Sequence, residues 1–181
     1  MTAPITRIAP DFALLKKTEF DNIIDVRSPS EFLDDHVPGA INLPVLDDSQ
    51  RAKIGTIYKQ INPFEAKRSG AALVAQNIAG YLQNDLAKKD RDWRPLIYCW
   101  RGGQRSGAMA KIFSDIGWQS AVIEGGYKSY RKAVLNDLDY LPHKFRLIVL
   151  SGPTGTAKTH ILRSAAKNGL QVLDLEDLAN H

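Results

Sequence analysis

Apolar residues fall along this chain in short runs separated by polar, glycine-bearing or proline-bearing stretches. Residues 20–27 read as a short buried strand ending in charge, with Ile23, Ile24 and Val26 ahead of Arg27. A helix start follows: Ser28 or Ser30 can cap it, Pro29 suits its first turn, and Glu31 suits its positive dipole end. Residues 36–44 read as a turn and a second short strand, and residues 47–58 are charged and mixed, with no element assigned by their pattern. Leu73, Val74, Ile78, Tyr81 and Leu82 fall near helical spacing and predict a helix over 71–86. A polar loop (88–94) leads into the apolar strand Pro95-Leu96-Ile97-Tyr98, and 107–113 reads as a helix. Residues 120–124 form another strand, closed by Gly125-Gly126, and 127–138 another helix. Strands alternating with helices predict an α/β fold, a parallel sheet with helices on its faces.

The pattern breaks at 138–144, where Pro142 and the charged His143-Lys144 intervene, so we expect one domain over 1–138 and a second beginning at 139. The second opens with an apolar strand over 145–150. A helix over 160–168 and a second strand over 170–175 follow, and Gly169 ends the helix. One and a half β-α units cannot build a core of their own, so the expectation is an incomplete P-loop α/β domain whose apolar strands lack partners.

Composition narrows the class. Apolar residues make up 44% and charged residues 24% of the 181, as in soluble globular proteins. No apolar run approaches a transmembrane length, and residues 1–10 hold no signal-like apolar core, so the reading is a cytoplasmic chain without a membrane partner. The net charge of +4 is compatible with a polyanionic partner without identifying one. Cys99 is the single cysteine, which excludes an internal disulfide and a cysteine-based zinc site; no metal site is expected.

Cys99 opens Cys99-Trp100-Arg101-Gly102-Gly103-Gln104-Arg105-Ser106, between a buried strand and a helix start. That setting makes a nucleophile cradle. Loop amides from Trp100, Gly102, Gly103 and Gln104 can point at the sulfur, the helix dipole adds partial positive charge, and Arg101 and Arg105 add full charges. All favour the reactive thiolate. Arg105, at the helix start, is the stronger candidate for holding a phosphate group; Arg101 either does the same, faces solvent or pairs with a carboxylate. Trp100 either stacks on a ligand or packs on the sheet edge. Asp25 and Arg27 read as a pair bracing the loop, and His36 as a hydrogen-bonded scaffold residue.

The second motif is Ser151-Gly152-Pro153-Thr154-Gly155-Thr156-Ala157-Lys158-Thr159, a Walker A loop between a strand and a helix. Backbone amides from Gly152, Thr154 and Gly155 onward can ring a diphosphate, Lys158 neutralises charge, and Thr159 can reach a metal ion. Ala157 stands where the pattern has glycine.

These residues carry a family resemblance. Asp25-Val26-Arg27 with Glu31-Phe32, residues 36–44, and Ile123-Glu124-Gly125-Gly126-Tyr127 resemble the signatures of rhodanese domains, over about residues 10–135, with Cys99 at the family's active cysteine. The Cys-Trp-Arg-Gly-Gly-x-Arg-Ser loop followed by a P-loop resembles the tRNA 2-selenouridine synthase family; residues 54–60, 63–67 and 177–181 match it as well, the last being a segment that normally continues. The resemblance implies a rhodanese-like sheet and a transferase acting on the wobble uridine of tRNA. In that family selenium from selenophosphate replaces the sulfur of 2-thiouridine. Geranyl diphosphate first converts that sulfur to a better leaving group, so the tRNA passes through a geranylated intermediate. Cys99 would carry selenium as a perselenide (S-selanylcysteine), with Arg101 and Arg105 beside it. The P-loop would take geranyl diphosphate or a nucleotide. Selenophosphate and geranyl diphosphate are then co-substrates rather than tightly bound cofactors, and a selenophosphate-supplying synthetase is a further partner. Lys53, Lys59, Lys67, Arg68, Lys128, Arg131 and Lys132 are candidate phosphate contacts, and Tyr58 or Tyr127 could receive an anticodon-loop base. Other readings also fit a reactive cysteine loop or this fold. They are a rhodanese-fold sulfurtransferase, a cysteine phosphatase with the same Cys99-to-Arg105 spacing, and a non-catalytic rhodanese module that recruits a partner.

Overall fold

The computed structural model describes residues 3–10 and 19–179, and the chain divides into two compact units, Met1–Tyr140 and Leu141–His181. In the first, five strands form one sheet: β1 (Thr6–Ile8), β2 (Asn22–Asp25), β3 (Ile41–Asn42), β4 (Pro95–Tyr98) and β5 (Ala121–Ile123), in the order β1-β5-β4-β2-β3. Every pairing is parallel. Between the strands lie α1 (Pro29–Asp34), α2 (Asp48–Gln60), α3 (Pro63–Gln83) and α4 (Gln104–Ile116), and α5 (Gly126–Tyr140) closes the unit.

Successive strand residues point to opposite faces, so the sheet serves two cores. Ile24, Ile97 and Val122 pack with Ile78 of α3 and Met109 and Phe113 of α4. Ile23, Leu96 and Ile123 pack with Val37 and with Tyr127 and Tyr130 of α5. The expected parallel sheet with helices on both faces is therefore present. Because all strands run one way, the ends of β2, β4 and β5 deliver Arg27, Cys99 and Gly125-Gly126 to one sheet edge, the edge at which open α/β sheets place ligands.

Three local features depart from the sequence reading. Residues 47–58, assigned no element, are largely helix α2. Asp47 caps it reciprocally with Gln50, but no α2 residue is buried, so no apolar stripe marked it. Helix α3 begins at Pro63 rather than 71, with Asn62 accepting from the Glu65 amide and Pro63 in the first turn. Strand β1 carries no apolar run and exists through its register with β5.

The second unit holds a 3-10 turn (Leu141–Lys144), α6 (Lys158–Lys167) and the short α7 (Leu175–Leu178). The strands expected over 145–150 and 170–175 are absent. Leu147, Ile148 and Val149 stand 70%, 91% and 83% exposed, and no described residue of this unit is buried. A strand is held by a neighbour's backbone groups, and among the described residues of this unit no chain segment pairs with these. Amides of 147–150 are therefore expected to exchange with solvent much faster than those of 96–98. Hydrogen exchange read by mass spectrometry or NMR checks this, and equal protection would contradict it.

Candidate active site

Cys99 follows the fully buried β4 and is itself 3% exposed. Two glycines let the loop after it turn under β5. Gly102 has φ +63°, and a Cβ there would meet the Ile123 carbonyl at 2.7 Å. Gly126 has φ +62°, and a Cβ there would lie 2.1 Å from the Cys99 carbonyl oxygen. The first turn of α5 fastens the loop: the Tyr127 amide donates to the Cys99 carbonyl (2.9 Å) and the Lys128 amide to that of Trp100 (3.0 Å).

The sulfur sits at the N-terminus of α4. The Gly103 amide donates to Sγ at 3.3 Å, and the Ser106 hydroxyl lies 3.2 Å from it. Burial pushes the thiol pKa up, but hydrogen bonds from the Ser106 hydroxyl and from the Ser106, Gly103 and Arg101 amides outweigh it, and the thiol is held below its ordinary value. Of the amides expected from sequence, Gly103 reaches the sulfur; among the described residues, those of Trp100, Gly102 and Gln104 form no hydrogen bond to it. Ser106 is the functional residue that sequence reasoning missed. Its signal was its place three residues into the helix after Gly103, where a side chain leans back toward the N-terminus. Because a hydrogen bond to a charged group contributes about 1.5–3 kcal/mol, Ser106→Ala is expected to raise the thiol pKa by about one to two units. The pH midpoint of iodoacetamide alkylation measures this, and an unchanged midpoint would refute the role.

The two arginines differ. Arg105 grips Glu31 through both terminal nitrogens, at 2.7 and 3.3 Å. The same carboxylate accepts from the Ser28 amide and lies 3.2 Å from Arg51. Arg101 is exposed, and no ion pair or hydrogen bond of its side chain is seen among the described residues. Burial alone would raise the Glu31 pKa, but its bonds to Arg105, then Ser28 and Arg51, hold it below the usual carboxylate range. Its folded pKa being the lower, the clamp is at full strength above the ordinary glutamate pKa of about 4.3 and fails as pH falls through the depressed one.

Asp25 and Arg27 form the buried pair the sequence suggested, and Arg27 meets the loop at the Trp100 ring, 5.9 Å from its guanidinium. Both are buried, with Arg27 Nη2 2.6 Å from Asp25 Oδ2 and from the Asp35 carbonyl. The Arg27 guanidinium lies 4.2 Å from the centroid of the Tyr127 ring, which is in turn 5.8 Å from the Trp100 ring. Trp100 thus packs against the core edge, half-buried. Tyr127 is buried beneath this stack and bonded to Asp35, which removes it as a base-stacking candidate, whereas Tyr58 on α2 is 56% exposed. His36 bonds the Phe32 carbonyl through Nδ1 and stacks on the Phe32 ring, a scaffold role.

In the second unit, Thr154, Gly155, Lys158 and Thr159 line one concavity together with Glu176. Lys158 Nζ donates to the Gly152 and Pro153 carbonyls. Ala157 lies in the left-handed region at φ 57°, a conformation costing about 1–2 kcal/mol for a residue with a Cβ, which is why glycine is the usual occupant. Residues 180 and 181 of the closing segment lie outside the described residues. Among the described residues no helix is long and apolar enough to cross a membrane.

The rhodanese-like domain model matches residues 11–133. Over 160 residues the chain is 39% identical to the tRNA 2-selenouridine synthase of Nitrosomonas europaea, covering 88% of this chain and 41% of that one. It is 37% identical over 164 residues to the enzyme of the same name from Bdellovibrio bacteriovorus, covering 88% and 42%. The chain thus spans about two-fifths of the length of these curated relatives. Among solved structures, the N-terminal domain of a protein described as ATP/GTP-binding from Clostridium difficile 630 superposes with a TM-score of 0.57 at 35% identity, covering 73% of this chain and 99% of that one.

Proposed function

This chain belongs to the rhodanese-like family, and from that membership and its similarity to tRNA 2-selenouridine synthases we propose that it is the selenium-carrying part of a cytoplasmic, tRNA-modifying transferase. The observation that carries the reading is Cys99: a lone cysteine at the end of a buried strand, facing a helix N-terminus, with Gly103 and Ser106 bonded to its sulfur. A polarizable thiolate so held can carry selenium as a perselenide, and the same donors would stabilise the terminal selenide anion. Selenophosphate is the donor. Forming an S–Se bond from a thiol and a selenide is a two-electron oxidation, so loading with release of phosphate also requires a two-electron acceptor, which a small disulfide supplies.

The acceptor is the wobble 2-thiouridine in a tRNA anticodon loop. Geranyl diphosphate alkylates its sulfur with loss of diphosphate; the terminal selenide of the perselenide then attacks C2 and geranyl thiol leaves, and two small thiols, oxidised to a disulfide, cleave the S–Se bond to give the selenouridine and return Cys99 as a thiol. In this reading the P-loop residues Gly152, Thr154, Gly155, Lys158 and Thr159 hold the diphosphate. Tyr58 is exposed on α2, as are Lys53 and Lys59 of α2 and Lys67 of α3, side-chain types suited to an unstacked base and to phosphates. A selenophosphate-supplying synthetase is the natural upstream partner.

Intact-mass analysis after incubation with selenophosphate and a small disulfide tests the proposal. An adduct with the selenium isotope pattern is expected on the native chain and not on Cys99→Ser. Absence of that adduct from the native chain would overturn the carrier role.

A further inference from the structure

Glu31 sits in a place that its sequence neighbours fix. It is the third helical residue after the Ser28 cap, and the reciprocal capping box aims its carboxylate back at the Ser28 amide. From there a single oxygen, Oε2, accepts from the Ser28 amide and hydroxyl and from Arg105, and meets Arg51 of α2. Oε1 takes the second Arg105 nitrogen. A second bond links α1 to α2, the Ser30 amide donating to Asp48. An anion that recruited Arg105 would have to break a two-point, charge-assisted contact and leave Glu31 shared by fewer donors. Arg101 has no such commitment. It is exposed and lies two residues from Cys99, in the loop whose Gly103 amide bonds the sulfur.

We propose that Glu31 is a positioning residue of the Cys99 loop: it holds Arg105 as a fixed strut tied to α2 through Arg51, and so leaves Arg101 as the cation that meets a tetrahedral phosphate-type anion at Cys99. This rests on the reading above that the loop receives a phosphorus-bearing donor. Its test uses inorganic phosphate alone, so failure of selenium loading and failure of this inference are separate results.

The measurement is protection of Cys99 from iodoacetamide by inorganic phosphate, as a function of phosphate concentration and pH. Arg101→Gln is expected to raise the half-protecting concentration by about tenfold or more, the loss of one charge-assisted contact, and Arg101→Lys to restore most of it. Glu31→Gln releases the charge of Arg105 and is expected to tighten protection by about threefold or more, while shifting the pH midpoint of alkylation. A carboxylate with a purely structural role would leave protection unchanged or weaken it. The paired Glu31→Gln/Arg105→Gln variant, verified as folded by near-ultraviolet circular dichroism, is expected to keep protection within about threefold of the native chain. The inference is overturned if the paired variant loses protection while Arg101→Gln keeps it, if Glu31→Gln leaves protection unchanged or weakens it, or if phosphate fails to protect the native chain. Since Arg101 is exposed, its variants report even if the paired variant does not fold.

Discussion

Gly126→Ala is expected to slow alkylation of Cys99 at neutral pH relative to the native chain and to destabilise the first unit by several kcal/mol. Two costs combine. At φ +62° a residue with a Cβ loses about 1–2 kcal/mol relative to glycine. The larger cost is steric. The new methyl would lie 2.1 Å from the Cys99 carbonyl oxygen, 2.5 Å from the Gly102 nitrogen and 2.9 Å from the Arg101 nitrogen. These are backbone atoms at the end of a central strand, so no flexible side chain can swing aside. Relief requires α5 and the loop to part, breaking the hydrogen bonds from Tyr127 and Lys128 and moving Gly103 off the sulfur. Chemical denaturation with a parallel alkylation assay tests this. Gly103→Ala is the control, because a Cβ there meets nothing within 4 Å. Comparable losses from both substitutions would show that the close approach at Gly126 is not what shapes the loop.

The second large effect is expected at Arg27. Arg27→Ala leaves Asp25, which is fully buried, without its partner, and stranding one member of a buried ion pair costs roughly 3–5 kcal/mol. It also removes the cation against Tyr127 and a donor to the Asp35 carbonyl. Asp25→Asn combined with Arg27→Met removes both charges and should cost clearly less than the sum of the single changes, since neither charge is then stranded. Additive losses in denaturant titrations would show that the pair is not coupled, and the bracing role would fall.

The relatives this chain resembles are more than twice its length, and the two units described here differ in how far they build themselves. The first buries both faces of its sheet. The second has the helices α6 and α7, a 3-10 turn and a phosphate-type loop, and no described residue of it is buried. The Cys99 thiol lies in the unit with the core, where positions are held by packing; the P-loop residues lie in the unit without buried residues, with Thr156 and Lys158 bonded to nearby carbonyls of the loop.

Local signals were sufficient wherever neighbours in sequence decide the structure. The four apolar residues before Cys99, the cap-and-proline start at Ser28-Pro29, and the spacing of Val74, Ile78 and Tyr81 each fix an element through short-range sterics and periodicity, and the structure contains all three. The setting of Cys99 was likewise legible, because a cysteine between a buried strand and a glycine-bearing helix start is a local arrangement, and the structure contains it. Helix α2 was not legible, since a helix with no buried face has no apolar stripe. The apolar runs at 145–150 and 170–175 looked like strands and are not, because strand pairing is made by another segment's backbone. Nor does the order of residues tell which arginine is free. Arg101 and Arg105 are four positions apart and chemically identical, and only folding brings Glu31, 74 positions away in sequence, against one of them. A charge's neighbours in space determine whether it can bind a ligand, and those neighbours belong to the tertiary structure.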